Sequence, residues 1–521
     1  MNKISLIISL LFCPMMLMAQ AAPDALTISE PDMRGTARFL GMGGAFGALG
    51  GDISVLNQNP GGIGIYRSSD IALTLDLDFQ NSKAPGSGSL SQTKFDVNNV
   101  GYVGAFKTGS DVLPYFNLGF TYNRSKSFNR HTTGSFALGT SVSNLIASYT
   151  TNGNYTEADL MYTDSYNPYA GRAPWISILA YDAFMISPNS QNGFNGLFGR
   201  GTSGYGTFET IEEGHIDEYS INFGGNLYNT VYWGMGFGIT DTDYRSYTYY
   251  GEDLNNAFLT DEDYVTTIGD AQTGLENVTR VYGSGFNFKM GVIVKPINEL
   301  RFGLAFHTPT YHSLKMERYS VANYNYSNGY NGSREADDGY VAESWYKQST
   351  PWRIIASAAA VVGGQGIVSV DYEWNDYTSM KISSDDGFEY IDLTNDIKHY
   401  YKATNTVRVG AEYRVTPGFS VRAGYSYTTS PVNDDLFNNR VGVVTAGTEL
   451  SYMLPKNKQS MSVGMGYRYK SFYTDLTYMI KKSEVEYHAF SPDIYGGDYE
   501  SPSALLDNKN HNVVWTIGLR F

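Results

Sequence analysis

From about residue 69 onward the chain alternates between apolar and polar or small residues. Ile71, Leu73, Leu75, Leu77 and Phe79 are interleaved with Ala72, Thr74, Asp76, Asp78 and Gln80. Val231, Trp233, Met235, Phe237 and Ile239 are interleaved with Tyr232, Gly234, Gly236, Gly238 and Thr240. The pattern returns at Phe419–Tyr427, at Val463–Tyr469 and in the last stretch, where Val513, Trp515, Ile517, Leu519 and Phe521 share one face. Side chains flip at every residue of a strand, so such runs predict strands with one apolar and one polar face. Fourteen segments qualify: 69–80, 97–107, 114–126, 215–227, 230–250, 279–294, 299–317, 350–362, 366–382, 404–415, 418–430, 457–470, 472–484 and 511–521. Long connections (81–96, 127–214, 251–278, 318–349, 383–403, 431–456, 485–510) alternate with short ones near Asp111, Asn229, Pro296, Gly364, Pro417 and Ser471. Long loops at one end and short turns at the other are expected of an even-stranded antiparallel β-barrel whose outside meets lipid. The polar face holds Asp76, Asp78, Arg301, Asp371, Glu373, Arg408, Glu412, Arg414, Arg422, Arg468 and Asp475. In a barrel these line the lumen, where Arg301, Arg408, Glu412 and Arg422 are expected to pair across strands.

Composition narrows the class. The 521 residues include 56 Gly and 43 Tyr, with 15% aromatic and 17% charged. Tyr carries an apolar ring with a wet tip, which suits a membrane boundary. A formal charge of −15 makes nucleic acid an unfavourable partner. Lys3, an apolar run from Ile4 to Met18 and small residues at Ala19 and Ala21 predict a signal peptide over 1–21. Its removal would take away Cys13, the single Cys of the chain, leaving neither a disulfide nor a thiolate metal site.

Between that segment and the first strand, Gly35 to Gly64 does not alternate. Gly43, Gly44, Ala45, Phe46, Asp52, Asn59, Pro60 and Gly61 fall in a stretch of small residues and turn signals. A phosphate-cradling loop would need a flanking strand, a following helix and usually a Lys, which are lacking. A compact plug inside the lumen fits better. In the longest loop, Trp175, Ile178, Leu179 and Ile186 recur at helical spacing, as do Val142, Leu145, Ile146 and Tyr149. Two such helices with Phe184 are expected to offer an apolar groove for ligand capture, and replacing Ile178 and Leu179 by Asp is expected to weaken it. Arg172 is the neighbouring cation. His307 and His312 are expected on opposite faces of one strand. No Gly-x-Ser-x-Gly or His-Glu-x-x-His motif is present, and no enzyme, cofactor or metal site is expected.

These segments resemble the FadL/TodX family of outer-membrane hydrophobic-compound transporters. Gly44-Ala45-Phe46, Asp52 and Asn59-Pro60-Gly61-Gly62-Ile63 resemble its N-terminal hatch. Leu300–Pro309, Val370–Tyr377, Val407–Arg414, Val421–Val432, Gly464–Arg468 and terminal Phe521 resemble its barrel segments, in the same order. Gly61 and Ile63 depart from the family's commoner Ala and Leu. The resemblance implies an all-β, fourteen-stranded transmembrane barrel (67–521), a hatch (22–66) and a partly helical extracellular loop (127–214). It implies a monomer in the bacterial outer membrane, placed there by the barrel-assembly machinery. It further implies diffusive uptake of hydrophobic small molecules such as long-chain fatty acids, by loop capture and lateral exit past the hatch. Leu40-Gly41-Met42-Gly43-Gly44-Ala45 also resembles FadL-like barrels of type IX secretion, so a protein-cargo shuttle is the alternative.

Overall fold

The computed structural model describes residues 21–261, 263–439, 441–492 and 501–521. The expected signal peptide lies almost wholly outside them. Fourteen antiparallel strands close into a barrel. They are β1 (Asp70–Lys83), β2 (Ser89–Lys107), β3 (Tyr115–Ala137), β4 (Ser203–Leu227), β5 (Val231–Thr260), β6 (Thr266–Val294) and β7 (Leu300–His307, resuming as Tyr311–Tyr326). Then follow β8 (Ala342–Ser349, resuming as Arg353–Val362), β9 (Gly366–Asp376, resuming as Lys381–Ser384), β10 (Ala403–Thr416), β11 (Phe419–Thr428), β12 (Tyr452–Tyr469), β13 (Phe472–His488) and β14 (Ser503–Arg520). The sheet closes where β1 pairs with β14, from Asp70↔Arg520 to Lys83↔Asp507.

The alternating apolar residues face outward. Phe237, Ile239, Phe286 and Val463 are all more than half exposed. A band of large apolar side chains turned away from the core is stable only against lipid. The partner positions turn into a polar lumen, where Asp76, Asp371, Glu373 and Asn512 are buried. The short turns follow local chemistry. Tyr228 and Asn229 both have positive φ (52° and 54°), the geometry of a type I′ hairpin turn.

The strands outrun the predicted spans at the long-loop end. β5 reaches Thr260, and β4 begins at Ser203 rather than 215. The long connections shrink accordingly: 251–278 becomes 261–265, and 251–260 is strand rather than loop. Beyond the apolar band both faces of a strand are wet or loop-covered, so the alternation that marks it disappears.

Three neighbouring strands break at one level, at Thr308-Pro309-Thr310, Thr350-Pro351-Trp352 and Tyr377–Ser379. Proline has no N–H for the ladder. Thr310 N donates to Thr350 Oγ1 (2.8 Å) and Thr350 N to Thr310 O (3.1 Å), so the wall stays joined. The break shifts the two-residue period. His307 and His312 therefore both turn inward, each 4% exposed, contrary to the expectation of opposite faces.

Candidate functional site: an inner plug, a lumen cavity and an open seam

The plug begins with α1 (Ala22–Ser29), continues through α2 (Ala37–Gly41) and ends in two 3-10 turns, Ile53–Asn57 and Pro60–Ile65. Thr36 caps α2 by accepting from Phe39 N, and its hydroxyl donates to Asp52 (2.8 Å). Asp52 also accepts from Ser54 N (2.9 Å), so it ties the two halves of the plug together. Asn59 does the same lower down, donating to Gly47 O (2.6 Å) and accepting from Gly61 N (3.0 Å). Pro60 opens its turn at a position that needs no N–H. Ala45 and Phe46 are fully buried, and Gly44 lies in left-handed backbone (φ 75°).

The plug is fastened to the wall at defined points. Phe46 N and Gly47 N donate to Asp371 Oδ2 (2.9 and 3.0 Å), as does Gln58 Nε2 (2.9 Å). Arg38 forks onto Glu412 (3.0 Å to each oxygen), which also meets Arg422, itself paired with Asp475. Arg301 donates to Leu49 O (2.9 Å), and Asn117 Nδ2 to Ile63 O (2.6 Å). Arg408 pairs with Glu373 (2.7 Å). Of the four lumen charges expected to pair across strands, Arg408 and Arg422 meet wall carboxylates, Glu412 meets both wall Arg422 and plug Arg38, and Arg301 instead donates to the plug. Sequence reading placed Asp371 on the polar face without seeing this anchoring role, because its partners are backbone amides some 325 residues away. Between fastenings, backbone lies on backbone. A Cβ on wall Gly424 would overlap Gly43, and one on Gly303 would overlap Gly47 O, so both sites need glycine.

Above the plug lies a cavity of 570 Å³. Its lining mixes polar and apolar surface, with Arg124, Lys289, His307, Arg318 and Lys481 among the residues facing it. The cavity reaches a gap in the wall. β2 and β3 pair from Lys107↔Tyr115 only as far as Asn99↔Asn123. Past that point β2 stays with β1 up to Ser89, while β3 bulges at Arg124/Lys126 and stays with β4. The diverging edges are bridged by side chains: Ser127 Oγ and Arg124 Nη1 to Asp96 (2.8 and 2.6 Å), and Lys94 Nζ to Phe128 O (3.1 Å). The far end of the gap is crossed by Ser135 N donating to Pro85 O (3.2 Å).

The longest loop folds into a dome. Helices α3 (Val142–Asn152), α4 (Glu157–Leu160) and α5 (Trp175–Asp182) pack with the tops of β4–β7 and β13. Ile178 and Leu179 are fully buried there and Ile186 nearly so. Ile186 falls beyond α5, because the helix stops at Asp182 and Phe184 turns into left-handed backbone (φ 55°). Phe184 packs on Tyr330 (4.8 Å between ring centres), and Trp175 meets Tyr169 edge-on (5.1 Å). The five side chains share one apolar cluster, but they face each other and the strand tops rather than an open groove. Arg172 is largely exposed and lies 3.6 Å from Asp159. At the base of the dome, Glu252 accepts from Val142 N and Tyr250 OH (2.8 Å each) and from Ser141 Oγ. Burial pushes its carboxyl up to about 7.

Residues 229–477 match the model of a family described as outer membrane protein transport protein (OMPP1/FadL/TodX), a family of transport proteins rather than enzymes. A Pseudomonas aeruginosa FadL homologue has the same fold, with a TM-score of 0.53 at 13% identity over 94% of this chain and 99% of that one. The Pseudomonas putida toluene transporter TodX (TM-score 0.46, 13% identity) and the Ralstonia pickettii toluene transporter TbuX (TM-score 0.46, 12% identity) align over the same 94% of this chain and 99% of theirs. No curated protein matches the chain in sequence.

Proposed function

We propose that this FadL/TodX-type outer-membrane barrel takes up hydrophobic small molecules, long-chain fatty acids among them, by diffusion. In this reading the dome and strand tops receive the molecule, the cavity above the plug holds it, and it leaves sideways between β2 and β3. The observation that carries the reading is the gap above Asn99↔Asn123, because it lies beside the cavity. A wall that parts there lets an apolar molecule pass into lipid without crossing water. The cavity volume of 570 Å³ is in the range of small-molecule sites and far below that of a folded protein, which favours uptake over a cargo shuttle. The plug, fastened on the short-turn side, blocks straight passage and so acts as the hatch. Delivery needs no energy source, since partition into lipid gains about 0.8 kcal/mol per CH₂.

The test is to close the gap. Cysteines replacing Asp96 and Ser127, in a Cys13→Ser background, are joined by a short thiol cross-linker, and uptake of labelled oleate by whole cells is measured. Cross-linking should stop uptake, and a cleavable linker should restore it on reduction. Uptake that continues through a cross-linked wall rules out the lateral route.

A further inference from the structure

The inner segment from Ala21 to Arg34, the arm, has its own chemistry. Its helix α1 presents Ala22, Ala25, Leu26 and Ile28 to an apolar cluster with Phe128, Ile216, Leu314, Tyr346, Tyr401 and Tyr452. Two carboxylates follow directly, Glu30 and Asp32. Arg34 closes the segment, pairing with Asp32 (3.7 Å) and with wall Asp96 (3.3 Å), and the apolar rod followed by carboxylates before it has the chemistry of an anionic amphiphile.

The wall answers it with cations. Lys458 of β12 pairs with Glu30 (2.7 Å). Lys126 of β3 donates to Thr27 O (2.7 Å) and stands within electrostatic reach of Glu30 and Asp32. Lys481 of β13 lines the cavity and acts on Asp32 from a distance. Several other wall cations in the lumen have wall counter-ions: Lys289 has Glu218, Arg408 and Arg353 have Glu373, and Arg422 has Glu412 and Asp475, while Arg318 also turns to the arm, at Asp24 (4.0 Å). Lys126 and Lys458 instead make their close polar contacts with the arm. A cation taken partly out of water gains from a counter-charge, and in this structure the arm supplies it, through Glu30 at Lys458.

Resting on the uptake reading, we infer that the arm is an intramolecular stand-in for the ligand, an amphiphile with one apolar tail and a carboxylate. The ligand's carboxylate takes the place of Glu30 and Asp32 among Lys126, Lys458 and Lys481. Its tail takes the place of Leu26 and Ile28 in the apolar cluster. Ligand and seated arm exclude each other. The exchange also reaches the gap, because Asp32 N donates to Ser125 O at the bulge of β3 (3.1 Å) and Ser127 N donates to Asp32. Removing the arm therefore frees the strand edge that borders the opening.

The test compares oleate with oleyl alcohol, which has the same tail without the charge, on the full chain in an uncharged detergent. Heat-modifiable migration checks that each variant is folded. Glu30→Gln with Asp32→Asn weakens the competitor and should tighten oleate binding at least threefold. Lys458→Gln with Lys481→Gln should weaken oleate at least tenfold and oleyl alcohol less than twofold. A nitroxide on Thr27→Cys, in a Cys13→Ser background, should gain mobility when oleate saturates the protein. The inference is overturned if the arm variant binds oleate no more tightly, if the lysine variant treats both ligands alike, or if the nitroxide stays immobile at saturation. Failure of the unmodified chain to bind either ligand would overturn the uptake reading as well. Binding of both with no effect of charge would overturn this inference alone.

Discussion

At the long-loop end, Ile178, Leu179 and Phe490 sit in a dry apolar mass, with Phe208 stacked on Tyr487 at 3.9 Å. Lower in the lumen, the plug packs apolar side chains such as Leu40, Phe46, Leu56 and Ile63 with wall Val103, Met479 and Val514, and it is fastened in addition by contacts of amide to carboxylate, guanidinium to carboxylate and glycine against glycine. Apolar packing tolerates no polar intrusion, whereas a polar fastening can exchange one polar partner for another and costs stability when a partner is left unmatched. The dome is thus held chiefly by apolar packing, and the plug by apolar packing together with a set of directed polar fastenings. The arm lies between the two regimes, with its helix in an apolar cluster and its tail among lysines.

The largest expected effect falls on the dry side. Leu179→Asp buries an unpaired carboxylate, at a cost of about 4 kcal/mol or more. The dome should unfold, seen as rapid proteolysis of 138–202, while the barrel keeps its heat-modifiable migration. Weakened capture in such a variant would then report a lost dome rather than a lost contact. Next comes Asp371→Ala, which leaves Phe46 N, Gly47 N and the Gln58 amide without their acceptor, at roughly 3 kcal/mol. Planar-bilayer conductance to small ions should rise as the plug loosens, with the dome unaffected. If both variants damaged both regions, the contrast between them would be wrong.

The legibility of these regions in the sequence follows the same division. Spanning strands were readable because lipid outside and polar groups inside force a period of two. Their extensions were hidden, since no lipid enforces a period past Ile239. The helices of the dome showed in the spacing of Trp175, Ile178 and Leu179, but spacing marks an apolar face without naming what covers it. The His307–His312 parity failed at Pro309, where one irregular turn reverses the register. The arm was unreadable for a different reason: Glu30 and Lys458 are separated by most of the chain, and only barrel closure brings them together.

A smaller effect tests the base of the dome. Because the folded-state pKa of Glu252 is raised above the unfolded value of 4.5, its contribution is fully present below that value and is lost as pH rises through about 7. The change is on the order of 3 kcal/mol. Hydrogen-exchange protection at the start of α3, taken relative to the base-catalysed intrinsic rate at each pH, should therefore be greater at pH 5 than at pH 8, and Glu252→Gln should flatten that difference in protection. The smallest effect belongs to Arg172→Ala. Its exposed pairing with Asp159 is worth under about 0.5 kcal/mol, so neither dome stability nor oleate binding should change measurably.

The length of β5 has a further consequence. Its 30 residues, at about 3.4 Å each and tilted by about 40°, rise roughly 75 Å along the barrel axis, against a lipid-facing band of about 25 Å. The outward apolar positions end near Ile239, and Asp241 beyond them is exposed. The wall therefore stands well clear of the bilayer as a turret. A molecule arriving from outside meets protein before it meets the sugars and phosphates at the cell surface. If uptake runs as proposed, a solute that dissolves poorly in water gains from this turret a protein-walled approach to the bilayer.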